Sequence, residues 1–328
     1  MNVKSKSSPR CRARVWALLM VLVMAAFGQQ AGEATAEPEL GQDLSVVASI
    51  APIHSLIANV MKGAGEPYLL VKGSGSPHAY ALAPSDATAL QHADLVFWVG
   101  RDLELFLDRS LKALAPGARR IALIGTPGME LLQRREPGVW SETDRDHEEH
   151  RHAGGYDPHI WLDPENAKLI VRTVRDALSK ADPGRAALYA GNAARTLARL
   201  DRLSADLASQ LAPVRDKPYI VFHDAFGYIG HRFGLAPAGA FTLSPDLPPG
   251  AARVRALRTA FETGGIVCAF IEPQANPHLV KSLSEETGVR VGVLDPLGAT
   301  LAPGPDLYVE LMHAVGDSLS NCLSNQTD

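Results

Sequence analysis

The sequence has few cysteines, a single long apolar run and no excess of positive charge. Outside Val15–Phe27, no apolar run approaches the ~20 residues that a membrane-spanning helix needs, so direct membrane insertion of the processed chain is not expected. Lys and Arg total 32 against 36 for Asp and Glu, a net charge of −4. This balance argues against nucleic acid or an anionic membrane surface as a partner.

The N-terminal segment has the features of an export signal. Five basic residues and the apolar run Val15–Phe27 precede Ala34-Thr35-Ala36, an A-x-A cleavage pattern. We therefore predict a signal peptide over residues 1–36, cleavage near Ala36 and a mature protein in the periplasm. No cysteine sits at the cleavage point, so a lipid anchor is not expected. Loss of this segment removes five basic residues and only one acidic residue, which leaves the mature chain more acidic.

The three cysteines are divided by this cleavage. Cys11 leaves with the signal peptide, whereas Cys268 and Cys322 remain as an even pair in an oxidising compartment. Such a pair predicts a disulfide bond. The alternative is two buried free thiols.

Short apolar segments rich in β-branched residues alternate with segments of helical spacing in both halves of the mature chain. This alternation favours an α/β fold with parallel sheets covered by helices. Four strands are predicted in each half: Leu44–Ile50, Tyr68–Val71, Leu95–Val99 and Arg120–Ile124, then Tyr219–Phe222, Ala240–Leu243, Ile266–Ile271 and Val289–Leu294.

Between the halves lies one long segment of helical spacing, Pro183–Leu211. A helix of about 29 residues would span roughly 43 Å, more than one lobe requires. We predict a rigid linking helix over 183–212 that joins an N-terminal α/β lobe (37–182) to a C-terminal α/β lobe (213–328). Two helices broken at Gly191-Asn192 are the alternative.

Four residues stand at corresponding places in this scheme. His78 follows a strand in a Gly/Pro loop, while His223 and Asp295 directly follow strands. In open parallel sheets, ligands bind beyond the carboxyl ends of strands. His159 lies between two X-Pro pairs that favour extended backbone. Because two of the four precede the long helix and two follow it, we predict a site in the cleft between the lobes.

Three imidazoles and one carboxylate suit a tetrahedral Zn²⁺ ion. The predicted metal ligands are therefore His78, His159, His223 and Asp295. Glu272, at the end of another C-terminal strand, is expected to orient a ligand histidine rather than bind the metal itself. Each histidine alone would more often be structural, so the prediction rests on the set.

The chain resembles the periplasmic zinc-binding proteins of ABC importers, which form the zinc branch of a family of zinc- and manganese-binding solute-binding proteins. The resemblance covers nearly all of the mature chain, and its motifs occur in the family's order: Ser76–Tyr80 through Pro84–Asp86, Ala93–Gly100, His159–Pro164, Val221–Tyr228, Ile271–Gln274 and Leu294–Gly298.

The resemblance implies a function and several residue roles. It implies a high-affinity protein that captures Zn²⁺ and delivers it to an inner-membrane permease, without enzymatic activity and as a monomer. The family's metal positions fall on His78, His159, His223 and Asp295, although some zinc members use water or another carboxylate at the last. The family also implies that Cys268 and Cys322 are joined. It further implies that the His- and acid-rich tract 144–152, which is short here, gathers metal.

Three alternative functions compete with zinc capture. A manganese- or iron-binding member of the same family would keep the fold and change the cargo. A zinc-dependent hydrolase would need an open coordination position beside an organic-substrate pocket. The sequence has no G-x-S-x-G, and in His147-Glu148-Glu149-His150 the second histidine is one residue too early for H-E-x-x-H. An adhesin built on the same lobes is a third alternative.

Overall fold

The structure is a computed structural model that describes Met1 and residues 43–324, except 136–137, 141–151, 236, 243, 245 and 264. The predicted signal peptide and most of the tract 144–152 therefore lie outside the described residues. Within the described part of the chain, no helix is both long enough and apolar enough to cross a membrane.

Eleven strands and nine α-helices make up the described chain. The strands are β1 (Val46–Ala48), β2 (Tyr68–Leu69), β3 (Leu95–Trp98), β4 (Arg119–Ala122), β5 (Gln133–Arg135), β6 (Gly138–Val139), β7 (His152–Tyr156), β8 (Tyr219–His223), β9 (Pro237–Thr242), β10 (Cys268–Ile271) and β11 (Arg290–Val293). The helices are α1 (Ala51–Met61), α2 (Pro84–Gln91), α3 (Leu105–Leu114), α4 (Pro164–Ala181), α5 (Ala186–Leu211), α6 (Gly227–Phe233), α7 (Ala251–Thr263), α8 (His278–Thr287) and α9 (Leu307–Leu323).

Two parallel sheets organise the chain, as the alternation predicted. The first has the order β2-β1-β3-β4, and all its pairs are parallel. Its central strands are fully buried, which suits a sheet with helices on both faces. The β1–α1 and β3–α3 connections place the helices over this sheet.

The second sheet differs from the predicted four strands. Its order is β11-β10-β8-β9-β6, and β6 pairs antiparallel with β9 as a fifth strand. Sequence analysis missed β6 because it is only Gly138–Val139, too short to form a pattern. Its partner Gly239 has no side chain, and a Cβ there would overlap the carbonyl oxygen of Gly138. The remaining two strands, β5 and β7, form a separate antiparallel pair.

The long helix exists and is unbroken at Gly191-Asn192. It is a 26-residue α-helix, α5, with 3₁₀ turns at 183–185 and 212–214 at its ends. Asn192 is buried, and its Nδ2 donates to the carbonyl oxygens of Val60 and Lys62 at 2.8 and 2.9 Å, which ties α5 to the end of α1. The helix also packs against α4 and α9. The lobe boundaries drawn at 37, 183 and 213 stay predictions.

The predicted disulfide is present. Cys268 at the start of β10 is bonded to Cys322 in the last turn of α9, with the two Cα atoms 6.0 Å apart. The bond therefore ties the C-terminal helix to a central strand of the second sheet.

Loss of this bond is expected to lower the free energy of unfolding by up to about 4 kcal/mol, because it closes a loop of 54 residues in the unfolded chain. The measurement is denaturant unfolding of the double variant Cys268→Ser/Cys322→Ser beside the oxidised wild type. Mass spectrometry that found two free thiols in exported protein would contradict the assignment.

Candidate metal centre

His159 is held by a carboxylate two residues before it. Asp157, Pro158 and His159 precede the 3₁₀ turn Ile160–Leu162, which leads into α4. The Asp157 Oδ1 atom accepts a hydrogen bond from the His159 backbone N–H at 3.0 Å and lies 2.7 Å from Nδ1 of the ring. Both residues are buried, with 4% exposure each. The proline and this double contact leave the ring little freedom.

His223 is held by a carboxylate from the neighbouring strand. It is the last residue of β8, and Glu272 directly follows β10, which pairs with β8. Both carboxylate oxygens lie 2.6 Å from His223 Nδ1, and Oε1 also accepts the His223 backbone N–H at 3.1 Å. The sequence analysis expected Glu272 to orient a histidine, and the structure places it against His223.

His78 reaches the same place from a loop after β2. Its ring is less buried than the other two. The loop is joined to the other half of the chain by Ser76, whose Oγ donates to Asp246 Oδ2 at 2.6 Å.

The three imidazoles form one compact group. Their ring centroids are 5.1 to 5.8 Å apart, and one nitrogen from each ring lies within 4.8 Å of the other two. The Nε2 atoms of His159 and His223 are 3.3 Å apart. Two nitrogens bound to a tetrahedral zinc ion at 2.0–2.1 Å would be separated by about 3.3 Å. This pair is therefore spaced as two ligands of one Zn²⁺ ion would be.

The carboxylates also direct the ligand atoms. When Asp157 and Glu272 accept the Nδ1–H of their histidines, the lone pair of each ring is left on Nε2, the atom that faces the other rings. Carboxylate partners of this kind fix the tautomer of metal-binding histidines and raise their basicity. Where they are ionised, these buried carboxylates place negative charge beside the group, which favours a divalent cation.

The ionisation of the group is set by burial and by its neighbours. Burial, with the two nearby imidazoles, lowers the pKa of His78 to about 2. Burial and His223 lower the pKa of His159 well below its ordinary value. Burial also raises the pKa of Asp157 to about 8, with Asp224 adding to the effect. For His223, burial acts to lower the pKa, but Glu272 outweighs it and the net shift is upward.

These shifts predict how zinc affinity depends on pH. Below the pKa of Asp157 the Asp157–His159 pair holds one extra proton, and the raised pKa of His223 keeps a proton on that ring to a higher pH than usual, so zinc must displace protons from both. A raised pKa means that the proton is bound below it, so zinc affinity is expected to rise with pH through the neutral range. The rise should flatten above the pKa of Asp157. Chelator competition from pH 5.5 to 9 measures this, and a zinc affinity that does not change with pH would contradict it.

Asp295 is not brought into the imidazole group. It lies beyond the end of β11, as predicted, but its Oδ1 accepts from Gln274 Nε2 at 2.9 Å and from the backbone N–H of Leu297 at 3.0 Å. Its Oδ2 accepts from the backbone N–H of Ala299 at 2.6 Å. Three donors thus anchor the carboxylate to the turn that follows it. The expectation that Asp295 is the fourth ligand has no support in this geometry.

The sequence analysis missed two residues at this site. Asp157 could have been found from its position two residues before His159, where an Asp side chain readily bonds nearby backbone N–H groups. Gln274 lines the same pocket as the three imidazoles; it is the last residue of the motif Ile271–Gln274, which the sequence analysis used only for the family resemblance. Trp161, Pro296 and Leu297 complete an apolar wall of the pocket.

Comparison with known proteins identifies the family. The family model described as ZnuA, zinc-uptake complex component A, periplasmic, matches residues 46–322. The high-affinity zinc uptake system protein ZnuA of Brucella suis is 42% identical over 310 residues, which cover 87% of this chain and 93% of the relative. The protein of the same description from Paracoccus denitrificans is 36% identical over 326 residues, covering 92% and 97%.

The fold is shared with solved structures. A ZnuA deletion mutant crystallised with zinc bound superposes with a TM-score of 0.70 at 25% identity, over 86% of this chain and 98% of that one. Since the family model spans most of the sequence and the curated relatives align along nearly their whole length, this chain belongs to the ZnuA family of periplasmic zinc-uptake components.

Proposed function

We propose that this chain captures Zn²⁺ in the periplasm with His78, His159 and His223 and delivers it to an inner-membrane ABC permease. The observation that carries the proposal is the convergence of three imidazoles within 4.8 Å, two of them backed by buried carboxylates. The names of the relatives, which are zinc uptake proteins, support the same cargo.

The proposed site lies in a cleft between two lobes. His78 lies in the loop that follows β2, a strand of the first sheet, and His223 is the last residue of β8, a strand of the second sheet. A cation bound by both would link the two halves of the chain. Because α5 packs along helices from both halves, we propose that metal release involves loop movement and small shifts rather than wide hinge opening.

The chemistry of capture follows from the site's own groups. Neutral Nε2 atoms bind the cation, while Asp157 and Glu272 each accept an Nδ1–H and balance its charge. The protons released on binding leave the two histidine–carboxylate pairs. A lower local pH would reverse this exchange and favour release.

A zinc hydrolase fits the site less well. The free space among the imidazoles is about 10 Å³, roughly enough for one water molecule or one ion. Pockets for organic ligands are usually ~300–1,000 Å³. The described lining of this space includes the three imidazoles, Glu272 and Gln274, and the Glu272 carboxylate is already bonded to His223. The manganese- or iron-binding alternative is addressed by the competition experiment in the Discussion.

We propose that residues 1–36 are removed near Ala36, that the mature protein acts as a monomer, and that the tract 144–152 collects zinc near the cleft. An adhesin role for the same lobes remains the alternative at the cell surface.

Growth under zinc limitation tests the function. Cells that lack the gene are expected to grow poorly with a zinc chelator and to recover with added zinc salt or with the wild-type gene. A gene carrying His78→Ala, His159→Ala and His223→Ala together should not restore growth. Recovery with manganese but not zinc would contradict the zinc assignment and favour the manganese alternative.

A further inference from the structure

Gln274 is a pocket residue that the site described above does not use. It follows Glu272 by two residues and lines the same pocket as the three imidazoles. Its Nε2 donates to Asp295 Oδ1 at 2.9 Å. Because an ionised carboxylate can only accept, this bond fixes the orientation of the amide, with its nitrogen toward Asp295 and its oxygen directed elsewhere.

The oxygen of that amide is buried without a partner. Gln274 Oε1 has no hydrogen bond within the described part of the chain. Buried polar atoms in folded proteins are nearly always paired, and an unpaired one points to a water or an ion that satisfies it. Gln274 thus lines the pocket where the imidazoles converge, and its amide oxygen is a buried acceptor with no partner among the described residues.

The same side chain is bonded to Asp295, the carboxylate that the sequence analysis expected as the fourth metal ligand. Asp295 accepts from Gln274, Leu297 and Ala299, so its two oxygens are directed to the amide and to its own turn. A carboxylate held in this way would have to give up these bonds to bind a cation. An amide oxygen itself is not among the usual zinc ligands, which are Cys, His, Asp and Glu.

On the basis of the proposed zinc site, we propose that Gln274 positions the fourth zinc ligand. Its Oε1 accepts a hydrogen bond from a water molecule on the zinc ion, and its Nε2 holds Asp295 away from the metal. The bound ion then has three nitrogen ligands and one neutral oxygen ligand rather than three nitrogens and a charged carboxylate. This arrangement gives a site for Zn²⁺ that retains one exchangeable ligand.

A crystal structure of the zinc-loaded wild type tests the geometry directly. The expected result is a water at about 2.0–2.2 Å from zinc and about 2.7–3.0 Å from Gln274 Oε1. Zinc held by the imidazoles but bonded to Asp295 or to Gln274 Oε1 would overturn this inference and leave the proposed function intact. A wild type with no tight zinc site would overturn the function itself.

Two variants give an independent measure. Gln274→Met keeps the length of the side chain and removes both polar atoms. It is expected to weaken zinc binding by about 10- to 100-fold, as for other residues that support a metal ligand, and to alter the visible spectrum of the Co²⁺ form. Asp295→Asn, which retains an oxygen to accept from Gln274, should change zinc affinity less than about threefold. Unchanged affinity and spectrum in Gln274→Met, or a loss in Asp295→Asn as large as that in His78→Ala, would overturn the inference.

Discussion

Replacing any one of the three imidazoles is expected to weaken zinc binding by at least ~100-fold. His78→Ala is the cleanest variant, because no described hydrogen bond of the His78 ring has to be broken. His159→Ala and His223→Ala remove a ligand and also leave Asp157 or Glu272 buried without its partner. Their loss of affinity should equal or exceed that of His78→Ala. Chelator competition at fixed pH measures all three.

The controls separate lost coordination from lost folding. His92 is exposed at the end of α2, outside the imidazole group, so His92→Ala should bind zinc as the wild type does. His159→Gln and His223→Gln keep a polar side chain beside the buried carboxylates and should lose zinc affinity while they retain the wild-type circular dichroism spectrum. Wild-type affinity in any one alanine variant would remove that histidine from the site.

The second large effect concerns the choice of metal. The wild type is expected to bind Zn²⁺ at least about 1,000-fold more tightly than Mn²⁺, because imidazole nitrogens favour zinc and the usual order of affinities acts in the same direction. His223→Glu should reduce this ratio, since it gives the site a harder, more negative ligand set. Competition between the two metals at fixed pH measures the ratio.

The buried carboxylate of Glu272 beside position 223 calls for a second variant in that experiment. A carboxylate at 223 would lie beside Glu272, which is buried with 3% exposure, and two like charges there would share a proton rather than both ionise. The double variant His223→Glu/Glu272→Gln removes this repulsion and should reduce the preference for Zn²⁺ over Mn²⁺ further. A wild type that prefers Mn²⁺ would contradict the zinc assignment. An unchanged ratio in both variants would mean that residue 223 does not set the selectivity.

The main features of the fold follow from local sequence patterns. Apolar runs such as Leu95–Trp98 form buried parallel strands, and the spacing of Leu200, Leu203 and Leu207 gives α5 one continuous buried face. The strand β6 does not follow in this way. Its two residues become a strand only because Gly239 allows the backbone of β9 to approach, which is a tertiary condition.

Some features of the metal site also follow from the sequence, and others depend on tertiary structure. The ends of β2 and β8 could be located from sequence, and with them the approximate places of His78 and His223. Which carboxylates contact the rings depends on strand order, because Glu272 meets His223 only when β10 lies beside β8. The position after β11 placed Asp295 near the cleft, but its actual partners depend on the turn 295–299 and on Gln274. Side-chain hydrogen bonds of this kind are not encoded in the spacing of apolar residues.

The central claim is that three histidines of this chain hold one Zn²⁺ ion. Equilibrium dialysis against a chelator-buffered zinc solution at pH 7.5, followed by elemental analysis, tests it most directly. We predict one tightly bound zinc per wild-type chain and none at that site in the triple variant His78→Ala/His159→Ala/His223→Ala, with any weaker zinc unchanged. A wild type without stoichiometric zinc, or a triple variant that retains it, would contradict the account.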